Sequence, residues 1–163
     1  MIFAGIEAGG TKFVCGIGNS EGGILHHTQI PTTRPEETIS RVIEYFDDAR
    51  KKFDWQRIGL ASFGPLDLNP SSKTYGYITS TPKPGWRDFD LRGALAKGLG
   101  TEVQIDTDVN GAGLAEYKWG VAKGKSPVVY LTVGTGIGGG VIIDGKPLHG
   151  LVHPEVGHMR IVR

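Results

Sequence analysis

The sequence predicts an α/β protein with a mixed sheet, in which the elements follow the order β-β-β-α-β-α-β-α. Three observations support this order. Short apolar runs alternate with glycine-rich turns over the first 30 residues, apolar residues recur at helical spacing over 35–52, and three more strand-like runs begin at Pro127. The new set of strands indicates that the unit begins to repeat.

The first three strands come directly at the N-terminus. Residues 2–18 are typical of a hairpin around Ala8-Gly9-Gly10-Thr11, and residues 23–30 follow as a third strand. A helix is then predicted from Pro35 to about Lys52. It is preceded by Thr33-Arg34-Pro35-Glu36, which has the form of a capping box with proline in the first turn.

The rest of the first unit alternates strands and helices. Residues 69–86 are rich in proline and indicate a loop, with a short hairpin through Thr74–Thr79. The other predicted elements are a buried strand over 57–62, a helix over 91–99 stopped by Gly98 and Gly100, a strand over 102–106 and a helix over 108–119.

This order, restarting near residue 120, is that of the actin-like (ribonuclease H-like) ATPase fold in duplicate. We therefore predict an N-terminal lobe over 1–119 and the start of a second lobe over 120–163. The second copy is incomplete, because Arg163 follows a strand-like run and no helix covers the new sheet, so we expect a truncated product. The alternative is a single complete domain with a three-stranded flap, which would leave a sheet edge and an apolar face uncovered.

Composition excludes several classes of protein. A formal net charge of +1 over 163 residues argues against electrostatic binding to nucleic acid or to anionic lipid. No apolar run has the length of a membrane span, and the N-terminus lacks the pattern of a signal peptide. The single cysteine, Cys15, rules out an internal disulfide framework, and we expect a cytoplasmic protein.

Two Gly/Thr turns occupy matching places in the repeat and predict a phosphate site. Glycine lets the backbone approach an anion closely, and successive N–H groups beside a hydroxyl form an anion-binding concavity. An ordinary glycine hairpin with an exposed lysine remains the alternative for the first turn. Neither turn has Walker A spacing, and a strand follows where a Rossmann motif would have a helix. The candidate phosphate ligands are Gly9, Gly10, Thr11 and Lys12 in the first turn, and Thr132, Gly134, Thr135, Gly136 and Gly138 in the second.

A polar cluster, Asp106-Thr107-Asp108-Val109-Asn110, lies where a strand ends and a helix begins. Open α/β sheets bind their ligands at such strand ends. A carboxylate there is suited to accept the proton of a hydroxyl that attacks phosphorus, so Asp108 is the candidate general base. The alternative is that Asp108 only caps the helix.

The segment His153-Pro154-Glu155-Val156-Gly157-His158 holds the last polar cluster. Its side chains are either surface residues or the start of a metal site. A structural zinc takes four ligands, and the only cysteine lies far upstream, so these residues cannot complete a site with thiolates.

Taken together, the motifs resemble the ROK family (repressor, open reading frame, kinase), most closely its bacterial fructokinase branch. They occur in family order over nearly the whole chain: Glu7-Ala8-Gly9-Gly10-Thr11-Lys12, Ser62-Phe63-Gly64-Pro65, Thr81-Pro82-Lys83-Pro84-Gly85-Trp86, Thr107-Asp108-Val109-Asn110, Gly134-Thr135-Gly136-Ile137-Gly138-Gly139-Gly140 and His153-Pro154-Glu155-Val156-Gly157-His158. Glu7 stands where many sugar kinases of this fold have aspartate, which bears on the subgroup.

The resemblance implies an ATP-dependent kinase that converts fructose to fructose 6-phosphate. Asp108 would be the base, the two Gly/Thr loops would hold the ATP phosphates, and Mg²⁺ would bridge them. Asn110, Glu155 and His158 would line the sugar site, and His158 would also bind a structural Zn²⁺ whose other ligands lie beyond Arg163. Hexose and ATP are the implied partners, with a homodimer for the full-length form and neither nucleic acid nor membrane.

Rival functions stay open at this stage. A glucokinase or N-acetylhexosamine kinase of the same family differs by a few side chains, and a non-catalytic sugar-binding fragment fits a truncated chain, which we expect to be inactive alone. A repressor of the family carries a helix-turn-helix domain first, for which a strand beginning at Ile2 leaves no room.

Three other features have simpler interpretations. We expect Cys15 to be an inert core residue and His26-His27 to lie on the surface without a partner cluster. Trp86 either closes the proline-rich loop or forms the rim of the sugar cleft.

Overall fold

A computed structural model describes residues 1–134, 136–150 and 156–158, without the side chain of His158. The chain divides into two compact units, Met1–Asp106 and Thr107–Arg163. This division falls before the helix that begins at Asp108, whereas the boundary between lobes drawn from the sequence falls after that helix. The two lobes as such stay a prediction.

The first unit contains a five-stranded mixed sheet and two helices, as the sequence predicts. In the sheet, β2 pairs antiparallel with β1 and β3, while β1 and β4 run parallel, and the strand order is β3-β2-β1-β4-β5. The elements are β1 (Ile2–Ala8), β2 (Lys12–Asn19), β3 (Ile24–Pro31), α1 (Pro35–Arg50), β4 (Arg57–Ser62), α2 (Leu91–Leu99) and β5 (Glu102–Thr107).

Alternating side chains of the sheet form the core of this unit. On β2, Phe13, Cys15 and Ile17 are buried, because every second residue of a strand faces the same side. The fully buried Trp86 packs its ring at 5.5 Å from that of Phe13 and donates its indole N–H to the Thr33 carbonyl at 2.8 Å. The core therefore joins the first hairpin to the proline-rich loop.

The start of α1 differs from the predicted capping box. Arg34 is the N-cap residue and gives no side-chain cap, because Thr33 lies one residue too early. The Thr33 N–H donates instead to Oγ1 of Thr38 at 3.0 Å, and its hydroxyl donates to Oε2 of Glu37 at 2.6 Å. Pro35, the first residue of the helix, has no N–H, so the first turn has one donor fewer to satisfy.

The short hairpin predicted through Thr74–Thr79 is wrong. Ile78 forms isolated bridges with Leu66 on one side and Phe89 on the other. Ile78 lies between these two extended segments, and its side chain is fully buried. Burial of this apolar side chain stabilises the fold. The loop is folded onto the unit instead of extending from it as a hairpin.

The second unit consists of a helix and a small antiparallel sheet. Its elements are α3 (Asp108–Trp119), β6 (Val128–Val133), β7 (Ile137–Ile143) and β8 (Lys146–Pro147), with strand order β6-β7-β8. Asp144 and Gly145 connect the last two strands, both with positive φ (50° and 77°), as a two-residue hairpin turn requires. In the part of the chain that the structure describes, no helix is long and apolar enough to cross a membrane.

Candidate functional site

The first Gly/Thr turn connects β1 to β2 and requires glycine at one position. The Gly9 N–H donates to the Lys12 carbonyl at 2.9 Å, which closes the turn. A Cβ on Gly9 would lie 2.7 Å from that same carbonyl oxygen, so a side chain would force the turn apart. At Gly10 no atom lies within 4 Å of the Cβ position, so the tip of the turn is open to an approaching group.

Thr32, which the sequence reasoning missed, braces this turn from the end of β3. Its N–H donates to the Thr11 carbonyl at 2.9 Å, and its hydroxyl donates to the Gly9 carbonyl at 2.7 Å. Both carbonyls thereby point back toward Thr32. The signal in the sequence is weak, because only the pairing of Lys12 with Pro31 brings Thr32 beside the turn.

Thr11 and Lys12 are exposed, as a phosphate-binding turn requires. The Lys12 ammonium donates to Oε1 of Gln29 at 3.0 Å, which holds the side chain along the neighbouring strand β3. The ammonium therefore lies on an exposed surface beside Gln29, which pairs with Val14 two residues after the turn.

The second Gly/Thr turn connects β6 to β7 within the second unit. Gly134 and Gly136 have no atom within 4 Å of their Cβ positions, and the Gly134 N–H donates to the Gly136 carbonyl at 2.9 Å. Open backbone of this kind gives phosphate oxygens room to approach, so the described residues of each turn, taken by itself, leave space for a phosphate. Thr135 lies outside the described residues, and Thr132 is exposed on β6 opposite Gly138.

The other glycines of this motif lie in strand β7, and two of them lie close to the start of α3. A Cβ on Gly138 would lie 3.0 Å from Cγ1 of Val109, and one on Gly140 would lie 2.6 Å from Oδ1 of Asn110 and 2.7 Å from the Val109 carbonyl oxygen. The start of α3 thus rests directly on the backbone of β7. The spacing of Gly138 and Gly140 was the available signal, since residues two apart share one face of a strand.

Thr107, and not Asp108, is the N-cap of α3. Its side-chain oxygen accepts the N–H of Asn110 at 3.2 Å. The alternative in which Asp108 only caps the helix is therefore wrong. Asp108 lies in the first turn, half-buried, and its Oδ1 accepts the Val109 N–H at 2.9 Å. Asn110, the predicted sugar ligand, is fully buried beside Gly140.

Part of the His153–His158 motif lies against β7. Val156, in a single 3₁₀ turn over Val156–His158, packs its Cγ2 on Gly139, on the strand face opposite the one that meets α3. The backbone of this motif and the glycine strand are thereby in contact. Glu155 and the side chain of His158 lie outside the described residues, as does the predicted zinc ligation; among described residues no cluster of three or more His, Cys, Asp or Glu is arranged for a metal.

The structure also decides the simpler interpretations. Cys15 is fully buried, and burial raises the pKa of its thiol to about 12, so the expectation of an inert core residue is confirmed. Trp86 is fully buried and does not form the rim of a cleft. The expectation for His26 was wrong in part: it is exposed, but its Nδ1 lies 2.9 Å from the Tyr45 hydroxyl and its ring stacks on Tyr45.

The structure thus has two open glycine turns, and the helix that packs on the second hairpin carries an aspartate in its first turn. The profile of the ROK family matches residues 3–163. The chain belongs to the ROK family. This confirms the resemblance inferred from the six motifs.

Individual relatives of this chain are sugar kinases. The chain is 50% identical over 159 residues to a fructokinase of Zymomonas mobilis, and the match covers 96% of this chain and 53% of that protein. It is 49% identical over 163 residues to a fructokinase of Lactococcus lactis, covering 100% of this chain and 54% of that protein. The chain therefore spans about half the length of the curated relatives it matches.

A solved structure agrees with the fold. The ROK family glucokinase from Streptomyces griseus, crystallised in complex with glucose and AMPPNP, superposes with a TM-score of 0.84 at 29% identity, covering 99% of this chain and 51% of that one. The predicted fold class is confirmed: an α/β actin-like ATPase fold with a mixed sheet.

Proposed function

We propose that this chain belongs to an ATP-dependent hexose kinase, with fructose as the acceptor and fructose 6-phosphate as the product. The observation that supports this most strongly is the sequence identity of 49–50% to two fructokinases over 96% or more of the chain. Because the chain spans about half of each, the catalytic unit we consider is this chain joined to the remaining half.

Asp108 acts as the general base in this proposal. It is half-buried at a strand end, in the first turn of a capped helix, where its carboxylate is held by the Val109 N–H. The carboxylate takes the proton of the sugar hydroxyl while that oxygen forms a bond to the γ-phosphorus. The bond from the γ-phosphorus to the bridging oxygen breaks, and that oxygen leaves with ADP.

The two open turns hold the phosphates. Gly9, Gly10, Thr11 and Lys12 contribute backbone N–H groups, a hydroxyl and a positive charge from one turn, and Thr132, Gly134, Thr135, Gly136 and Gly138 form the other. Mg²⁺, when bound to the nucleotide, neutralises phosphate charge.

The sugar is bound by Asn110, Glu155 and His158 in this proposal, and a structural Zn²⁺ is bound by His158 with ligands from outside this chain. We also propose a homodimer for the longer protein and a cytoplasmic location, without nucleic acid or membrane as a partner.

A second candidate is a glucokinase of the same family, and the similarity to a glucokinase crystallised with glucose favours it over other rivals. N-acetylhexosamine kinase activity is a variant of the same chemistry. A sugar-binding fragment without catalysis is the remaining alternative for the 163-residue chain by itself.

The test uses a fusion of residues 1–163 to the part of the Zymomonas mobilis fructokinase that this chain does not match. Phosphoryl transfer from ATP is measured on fructose, glucose and N-acetylmannosamine, in the fusion and in the chain alone. We expect fructose to give the largest kcat/KM in the fusion, and no turnover in the chain alone. A larger kcat/KM on glucose would replace the fructose assignment by the second candidate.

The base is tested by Asp108→Asn in the fusion, which should lower kcat by at least about 1,000-fold while fructose binding by calorimetry stays near normal. Asp106→Asn is the matched control, since Asp106 is a half-buried carboxylate two residues earlier on the same connection. It should keep most of the turnover. An Asp108→Asn variant with most of its activity would show that another group accepts the proton.

A further inference from the structure

We propose that Gly140 positions the catalytic aspartate, because the first turn of α3 occupies the space that a side chain at 140 would fill. This rests on the proposed role of Asp108 as the base. Gly140 would thus act through packing, and not by contacting a phosphate.

The need for glycine at 140 is steric and not conformational. Its φ is not positive, so the backbone alone would accept any residue. The obstacle is the position of its neighbours: a Cβ would lie 2.6 Å from Oδ1 of Asn110, 2.7 Å from the Val109 carbonyl oxygen and 2.9 Å from the Val109 carbonyl carbon. Two of these three atoms belong to the helix backbone, which cannot rotate away as a side chain can.

The contacted peptide is the one that the helix cap holds. The Val109 carbonyl and the Asn110 N–H belong to the same planar peptide unit. The carbonyl side of this unit meets Gly140, and its N–H donates to Oγ1 of Thr107 at 3.2 Å. Asp108 lies between the cap and this peptide, so any displacement of the peptide shifts the carboxylate.

The same strand continues into the open turn. Gly140 is the third residue after Ile137, where β7 begins, which corresponds to about 10 Å of strand. Gly138 lies on the same face as Gly140 and meets Cγ1 of Val109 at 3.0 Å from its Cβ position. One strand therefore carries both the phosphate turn and the seat of the base.

The first measurement is amide hydrogen exchange at Asn110 in the 163-residue chain. Gly140→Ala should speed this exchange by about tenfold or more, because the Thr107 cap is disturbed. Gly59→Ala is the matched control, since Gly59 is also a strand glycine and has no atom within 4 Å of its Cβ position. It should leave the Asn110 exchange rate unchanged.

The second measurement is steady-state kinetics in the fusion. Gly140→Ala should lower kcat about 100-fold, the cost expected for a misplacement of about 1 Å, with the KM for ATP changed by less than about threefold. A Cβ on Gly138 would meet only side-chain methyls, Cγ1 of Val109 at 3.0 Å and Cγ2 of Thr132 at 3.1 Å, so Gly138→Ala should have a smaller effect. Val109→Ala removes the methyl that belongs to α3, while the Thr132 methyl lies on the neighbouring strand, so the double variant Gly138→Ala with Val109→Ala should recover most of the lost kcat.

Three outcomes would overturn the proposal. Unchanged Asn110 exchange in Gly140→Ala would show that 140 does not seat the helix. A higher KM for ATP at unchanged kcat, or no rescue by Val109→Ala, would assign these glycines to phosphate binding. Full activity of Asp108→Asn would instead show that Asp108 is not the base. The exchange data would still report whether Gly140 positions the first turn of α3.

Discussion

The two hairpins β1–β2 and β6–β7 share a plan but use glycine in different places. The buried face of β2 carries Phe13, Cys15 and Ile17, whereas the face of β7 that meets α3 carries Gly138, Gly140 and Ile142. In the first hairpin, glycine is required in the turn, at Gly9. In the second it is required in the strand, because a helix backbone lies directly on it.

This difference separates two roles of a glycine-rich motif. The large side chains on the buried face of β2 form part of the core. In β7, glycines stand at the corresponding face, and the absence of side chains lets the start of α3 approach the strand backbone closely. The other face of the second hairpin is also less covered: Val129, Leu131 and Val133 are exposed by 58%, 59% and 80%. A count of glycines alone therefore overstates how many of them face a ligand.

The largest expected loss of stability follows from removing a large side chain on the buried face of β2. Phe13→Ala should lower the free energy of unfolding by about 3–5 kcal/mol, since it removes a fully buried ring that packs on Trp86. Ile137→Ala is the counterpart beside the second turn and should cost less than about 0.5 kcal/mol, because Ile137 is 55% exposed. Urea unfolding followed by tryptophan fluorescence measures both, and equal losses would contradict the comparison.

The next effect concerns the turn glycine of the first hairpin. Gly9→Ala should destabilise the chain by about 1–3 kcal/mol, because the new Cβ meets the Lys12 carbonyl oxygen. Gly10→Ala, one residue later with open space around it, should change stability by less than about 0.5 kcal/mol. The same urea unfolding applies, and a Gly10 variant as unstable as the Gly9 variant would refute the steric explanation.

Cys15, on the buried face of β2, predicts a pH dependence. The folded pKa is about 12 and the unfolded one is about 8.5, so the folded state keeps a proton that the unfolded state loses. Stability from this group is full below pH 8.5 and should fall by about 2 kcal/mol between pH 8.5 and 10.

The control for this prediction is Cys15→Ala measured over the same pH range. Its stability should be lower at every pH but flatter between pH 8.5 and 10, where Tyr45, whose burial raises its pKa to about 12, contributes at most about 0.4 kcal/mol. An equally steep loss in the alanine variant would trace the pH dependence to other groups.

The smallest effect tests the brace on the first turn. Thr32→Val keeps the shape of the side chain but removes the hydroxyl that donates to the Gly9 carbonyl, and should cost about 1 kcal/mol. Thr28→Val, on the same strand, is the control, and a loss there as large as at Thr32 would show that the turn hydrogen bond is unimportant. Thermal unfolding of the two variants in parallel measures the difference.

The sequence by itself determined the order of elements, the two Gly/Thr turns, the strand-to-helix position of Asp108 and the family. These follow from local signals: residue periodicity, turn composition and short motifs whose spacing is fixed by chemistry. The bounds of α2 and α3 agree with the prediction, because Gly100 with φ of 58° and the Thr107 cap are themselves local features.

Only the tertiary structure decided the contacts between distant segments. Thr32 reaches the turn through strand pairing, Ile78 bridges two loops instead of forming a hairpin, and Gly138 and Gly140 receive the start of α3. Local patterns do not identify these partners, because each contact depends on which atoms approach across a dozen or more residues of the chain. A glycine looks the same in a sequence whether a ligand or a helix occupies the space beside it, and only the neighbouring atoms distinguish the two.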